Sequence, residues 1–115
     1  MATYRVRVTH DKLMSDGTYD TQAEAASTPA TDEVIKGDAV HIAAGVGKSL
    51  VGIQGTYAVL IKLPALVEGS LTVGLIGGGS QVFSFKNELQ LTVSAGSLFV
   101  NVGTTCDINY SILKL

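Results

Sequence analysis

Residues 56–115, TYAVLIKLPALVEGSLTVGLIGGGSQVFSFKNELQLTVSAGSLFVNVGTTCDINYSILKL, carry six apolar β-strand patterns separated by Gly, Ser and Asn turns. The patterns cover Thr56–Leu63, Ser70–Ile76, Gln81–Lys86, Glu88–Val93, Leu98–Val102 and Asp107–Leu115. Alternation within them has the period of two expected where one sheet face is buried. Val59, Ile61 and Leu63 share a face with Tyr57, and Leu71, Val73 and Leu75 share another. Leu89, Leu91 and Val93 oppose Gln90, Thr92 and Ser94; Leu98, Val100 and Val102 oppose Phe99 and Asn101. Ile108, Tyr110 and Ile112 repeat the arrangement against Asn109 and Ser111, and the face bearing Phe83 and Phe85 is the apolar side of its strand.

Working towards the N-terminus, Asp38–Ala44 and Ser49–Ile53 read as short strands around the Gly45-Val46-Gly47-Lys48 turn. Strands at intervals of roughly 8–12 residues indicate a sandwich or barrel. The fold expected is therefore all-β: an antiparallel, jelly-roll-like β-sandwich over residues 34–115, preceded by a polar N-terminal strand and arm over residues 1–33. Thr3–Thr9 suits a half-exposed or edge strand with Arg5 and Arg7 on one face. Asp16-Gly17 signals a tight turn, after which Thr18–Thr21 can pair back as a hairpin. Asp20–Glu33, DTQAEAASTPATDE, lacks Val, Ile, Leu and aromatic residues. It reads as an extended arm or ordered loop, with room for one helical turn over Gln22–Ala26.

The chain has 115 residues, enough for one domain with its own core. Hydrophobic residues make up 46% and charged residues only 16%, against about 25% charged in an ordinary soluble domain. No stretch reaches the roughly 18 apolar residues of a membrane span, so the surplus apolar surface points to cover by other protein. A net charge of -2 with scattered basic residues offers no grip on a phosphate backbone. The single cysteine, Cys106, leaves no internal disulfide and fits a reducing compartment. Nothing at the N-terminus reads as a secretory signal.

Chemistry-bearing motifs are thin. Gly45-Val46-Gly47-Lys48-Ser49 ends like a phosphate-binding loop, but its first glycine would fall on Ile42 and a strand follows where a helix is needed. Gly74–Ser80 lacks the spacing and following helix of a dinucleotide fingerprint. His10, Asp11, Asp16 and Asp20 offer metal-ligating atoms without EF-hand spacing, and turn aspartates are their ordinary role. His41 reads as a hydrogen-bonded strand residue, and Cys106 has no basic neighbour to activate it. No catalytic residue, cofactor site or metal site is expected, and the chain is read as a non-enzyme.

A polar arm followed by a compact β-domain rich in Ala, Gly, Val, Ser and Thr, ending in the strand Asp107–Leu115, resembles bacteriophage capsid decoration (cement) proteins. The resemblance implies a virion structural protein on the capsid surface, assembled in the host cytoplasm. It implies a homotrimer that clamps neighbouring subunits of the major capsid protein, with no nucleic-acid or membrane partner. Partner contacts would then come from Arg5 and Arg7, from the arm residues Asp20, Thr28, Pro29, Asp32 and Glu33. Two alternatives stand beside it: a carbohydrate- or ligand-binding sandwich of the tail-fibre or lectin-like kind, and a head–tail or tail structural subunit. Sugar binding favours exposed aromatic rings; here Trp is absent and Tyr4, Tyr19, Tyr57 and Tyr110 are the candidates.

Overall fold

The computed structural model describes residues 1–115 and contains strands but no helix. The chain divides into two compact units, Met1–Asp32 and Glu33–Leu115.

The first unit holds β1 (Ala2–Thr3), β2 (Val6–Leu13), β3 (Tyr19–Ser27) and β4 (Ala30–Thr31). β2 and β3 form an antiparallel hairpin, and β1 pairs with β4. The hairpin turns where Asp16-Gly17 stands: Gly17 has a φ of 86°, which costs glycine nothing. The Met14 N–H donates to the Thr18 carbonyl across the turn at 2.8 Å. Thr18 donates both its hydroxyl (2.6 Å) and its N–H (3.0 Å) to the Asp16 carboxylate. Those two bonds, the hydroxyl's above all, hold the Asp16 pKa below the ordinary carboxylate value.

Two expectations change in this unit. Gln22–Ala26 is extended within β3, with no helical turn, because each of its neighbours finds a ladder partner on β2. Thr3–Thr9 is interrupted: Tyr4 turns its N–H to the Pro29 carbonyl at 2.8 Å, so the main strand starts at Val6 and runs on to Leu13.

The second unit contains β5 (Val34–Ile42), β6 (Lys48–Val51), β7 (Gly55–Lys62), β8 (Glu68–Gly74), β9 (Ser80–Lys86), β10 (Glu88–Ala95), β11 (Ser97–Val102) and β12 (Cys106–Lys114). They build two four-stranded antiparallel sheets, ordered β10-β7-β12-β5 and β6-β11-β8-β9. The chain crosses between the sheets after β5, β6 and β7, and again after β9, β10 and β11. This order is that of a jelly roll, the double-sheet arrangement of eight strands.

The inward residues meet as the alternation requires. Tyr57, Val59 and Ile61 of β7 and Ile108, Tyr110 and Ile112 of β12 face Leu71 and Val73 of β8 and Leu98, Val100 and Val102 of β11 in one buried cluster. Phe83 and Phe85 of β9 and Leu89, Leu91 and Val93 of β10 pack on it while remaining partly exposed. Leu75 departs from the pattern: it lies beyond the end of β8 and is largely exposed, its N–H bonded instead to the Gly79 carbonyl in the Gly77-Gly78-Gly79 turn. Ile53 likewise falls outside the short β6 and is 70% exposed.

Candidate interaction surface

The hairpin is the part of the chain that lacks cover. Every residue of β3 is exposed, and only Val6 and Thr9 of β2 are partly shielded. Its register places Val6 with Ser27, Val8 with Ala25 and His10 with Ala23 on one side, and Arg7 with Ala26 and Thr9 with Glu24 on the other. One face is thus mostly small and apolar, whereas the other carries the Arg7–Glu24 ion pair at 3.2 Å. Gln22 is the extra residue of a bulge between His10 and Asp11, beyond which the Thr21 hydroxyl donates to the Asp11 carboxylate at 2.9 Å. At the tip Leu13 and Tyr19 oppose each other, 60% and 70% exposed, next to Met14. A two-stranded hairpin without a covering layer is marginal in water. This one has a mostly small, apolar face and exposed apolar side chains at its tip.

The seven residues expected to make partner contacts fall in different settings. Arg5 is exposed just ahead of β2, and Arg7 is tied to Glu24. Asp20 accepts a hydrogen bond from the Gln22 carboxamide at 2.9 Å near the hairpin tip. Thr28 and Pro29 form the link from β3 to β4, with the Pro29 carbonyl engaged by Tyr4. Asp32 lies 3.8 Å from the N-terminal ammonium and accepts the Ala2 N–H at 3.2 Å. Glu33 belongs to the second unit, where its carboxylate pairs with Lys114 at 3.2 Å. Six of the seven lie in the first unit, and Glu33 lies in the second. Only the start of β3, within Thr18–Thr21, was legible in the sequence; its continuation to Ser27 left no signal, because a strand with neither face buried shows no hydrophobic alternation.

Elsewhere the chemistry is sparse. His41 and Asp107, cross-strand partners on β5 and β12, form an exposed hydrogen bond at 3.0 Å. No group of three or more His, Cys, Asp or Glu side chains comes together as a metal site would need. Cys106 is half-buried, and its thiol pKa is raised by burial and by the neighbouring Asp107 carboxylate. A raised pKa means less thiolate at a given pH, so alkylation of Cys106 by iodoacetamide at neutral pH is expected to run slower than that of a free cysteine in a peptide. Its rate should keep climbing with pH beyond about 8.5, where an ordinary thiol begins to level off.

Tyr57 and Tyr110 are buried in the core, which leaves Tyr19 and half-buried Tyr4 as accessible phenol rings. The outer face of the β6-β11-β8-β9 sheet is mostly small and polar. Ser70 and Asn101 lie side by side there, and Thr72 stands between Val82 and Phe99. A shallow hollow of about 270 Å³ opens at its end, lined by Glu68, Gly69, Ser70, Asn101, Val102 and Gly103.

The fold and this surface define a jelly-roll domain carrying an uncovered β-hairpin. No protein-family model, no curated protein and no solved structure matches the chain.

Proposed function

We propose that this protein is a non-enzymatic structural component of a bacteriophage virion, decorating the capsid surface and stabilising it by bridging neighbouring subunits of the major capsid protein. The observation that carries the reading is the hairpin: nine consecutive exposed strand residues in β3, with a small apolar face that its own unit leaves bare. A partner shell would order this ribbon and cover that face, its main-chain edge offering strand addition. The jelly roll has its own core and serves as the rigid body that the hairpin attaches. Jelly rolls recur in viral capsids and also in lectins, so the fold adds support by analogy alone.

Deleting residues 1–32 tests this. The cut leaves Glu33 with its partner Lys114 and spares every strand of the jelly roll. The truncated protein is expected to stay folded while its co-sedimentation with empty capsids falls by more than about tenfold, equivalent to about 1.4 kcal/mol. Undiminished binding by the truncated form would remove the hairpin from the attachment role. The carbohydrate-binding reading draws on the Ser70–Asn101 hollow and the half-exposed Phe99; glycan-array binding lost on Asn101→Ala but not on truncation would favour it instead.

A further inference from the structure

The two sides of the sandwich treat their free sheet edges in opposite ways. At one side run β5 and β6. β5 carries a bulge where Ala39 takes a φ of 50° and turns its N–H to the Asn109 side chain at 2.7 Å. β6 has four residues and a register shift against β11. Bulges and short strands are the usual ways of blunting an edge against unwanted pairing. At the other side run β9 and β10, of seven and eight residues, joined by Asn87 and paired to β8 and β7 without a single register shift. Neither contains proline, and neither turns a charged side chain inward. Their inward residues, Phe83, Phe85, Leu89, Leu91 and Val93, are the partly exposed rim of the core.

The hydrogen bonds at Asn87 define which main-chain groups are free. The Leu63 N–H donates to the Asn87 carbonyl, so Asn87 and Leu63 form a hydrogen-bonded pair. Alternation along the antiparallel register then directs the N–H and C=O of Leu89, Leu91 and Val93 to β7 and those of Glu88, Gln90, Thr92 and Ser94 outward. By the same count from the Asn87–Val67 bond, β9 turns out the main-chain groups of Ser80, Val82, Ser84 and Lys86.

We propose that β10 pairs antiparallel with β10 of a second copy about a two-fold axis at Leu91, extending the β10-β7-β12-β5 sheet across a homodimer. The outward series is self-complementary in this register. Gln90 pairs with Thr92 of the second copy and Glu88 with Ser94, each pair exchanging two hydrogen bonds, and no two like charges meet. The Leu91 side chains of the two copies touch across the axis, with Leu89 beside Val93 of the second copy. Phe83 lies four residues before Asn87 and Leu91 four after it, so both stand level above the same turn. One axis therefore brings β9 against its own copy as well, and the partly exposed phenylalanines gain cover. This deepens the reading above by naming how copies meet. It differs from the trimer that the resemblance implied, since a three-fold ring contains no two-fold contact of this kind.

The test is the solution mass of the full chain by light scattering across the micromolar range. A mass twice the 11.9 kDa chain is expected; a mass of one chain or of three overturns the proposal. Gln90→Lys with Thr92→Lys sets lysines opposite each other and should give a folded monomer, whereas Gln90→Lys with Thr92→Glu should restore the dimer. Both substituted side chains are on the solvent face, so thermal unfolding should show each variant folded. In a Cys106→Ser background, Leu91→Cys should cross-link to itself on mild oxidation and Leu89→Cys should not. A dimer indifferent to the lysine pair, or one linked through position 89 instead, overturns the register. A monomer that still bound capsids would sink the pairing and leave the attachment role standing.

Discussion

Truncating Leu71 to alanine is expected to destabilise the jelly roll by about 2–5 kcal/mol, the range found for buried Leu→Ala changes. Leu71 is fully buried at the middle of β8, flanked in register by Phe83 of β9 and Val100 of β11. Strands on both sides pin its backbone, so the surroundings have little freedom to collapse into the space left behind. At roughly 4–8 °C per kcal/mol for a domain of this size, the thermal midpoint should fall by about 8 °C or more. The neighbouring Thr72→Ala is the control: Thr72 lies on the outer face of the same strand, and its loss should cost less than about 1 kcal/mol. Near-ultraviolet circular dichroism suits the measurement, because Tyr57 and Tyr110 are buried in this core and tryptophan is absent. A larger loss at Thr72 than at Leu71 would mean that the faces of β8 have been assigned the wrong way round.

That contrast between adjacent residues was legible in the sequence, and its legibility has a physical cause. Leu71, Val73, Leu98, Val100, Ile108 and Ile112 alternate with intervening outward residues, polar except for Phe99, because one face of each strand meets the opposite sheet. The order of the strands left no such trace. β7 and β12 are neighbours in space although β8 to β11 lie between them in the chain, and pairing at that range depends on packing summed over both sheets. The hairpin was half readable. Asp16-Gly17 announced its turn and Thr18–Thr21 the returning strand, yet β3 has no buried face and hence no pattern, and from Asp20 onward it read as part of an arm. The bulge at Ala39 was equally silent, since an alanine at positive φ is held there by the Asn109 side chain from another strand. Of the candidate site, the residue types were visible; that Arg7 is already tied to Glu24 and Glu33 to Lys114 was not, because both ties depend on register.

Gly37→Ala is expected to cost about 1–3 kcal/mol, although glycine inside a strand is ordinarily a weakness that alanine would repair. Gly37 lies on the edge strand β5 directly opposite Tyr110 of β12. The tyrosine ring lies over it: a Cβ at position 37 would run into ring atoms Cε1 and Cζ and the phenol oxygen. Tyr110 is itself buried and cannot swing clear, so the aromatic ring occupies the room that the glycine leaves. Gly74→Ala offers the contrast within the same domain. The nearest atom there is the Ser97 hydroxyl, at the end of an exposed side chain that can rotate away, and the expected change is small. A double-mutant cycle isolates the cause. Tyr110→Ala alone should cost about 3–5 kcal/mol by analogy with other large-to-small aromatic changes. In that background Gly37→Ala should cost nothing further, or should stabilise by about 0.5–1 kcal/mol through the lost freedom of glycine in the unfolded chain. A coupling near zero would mean that the ring does not occupy the space over Gly37, and the packing of β5 on β12 would need another explanation.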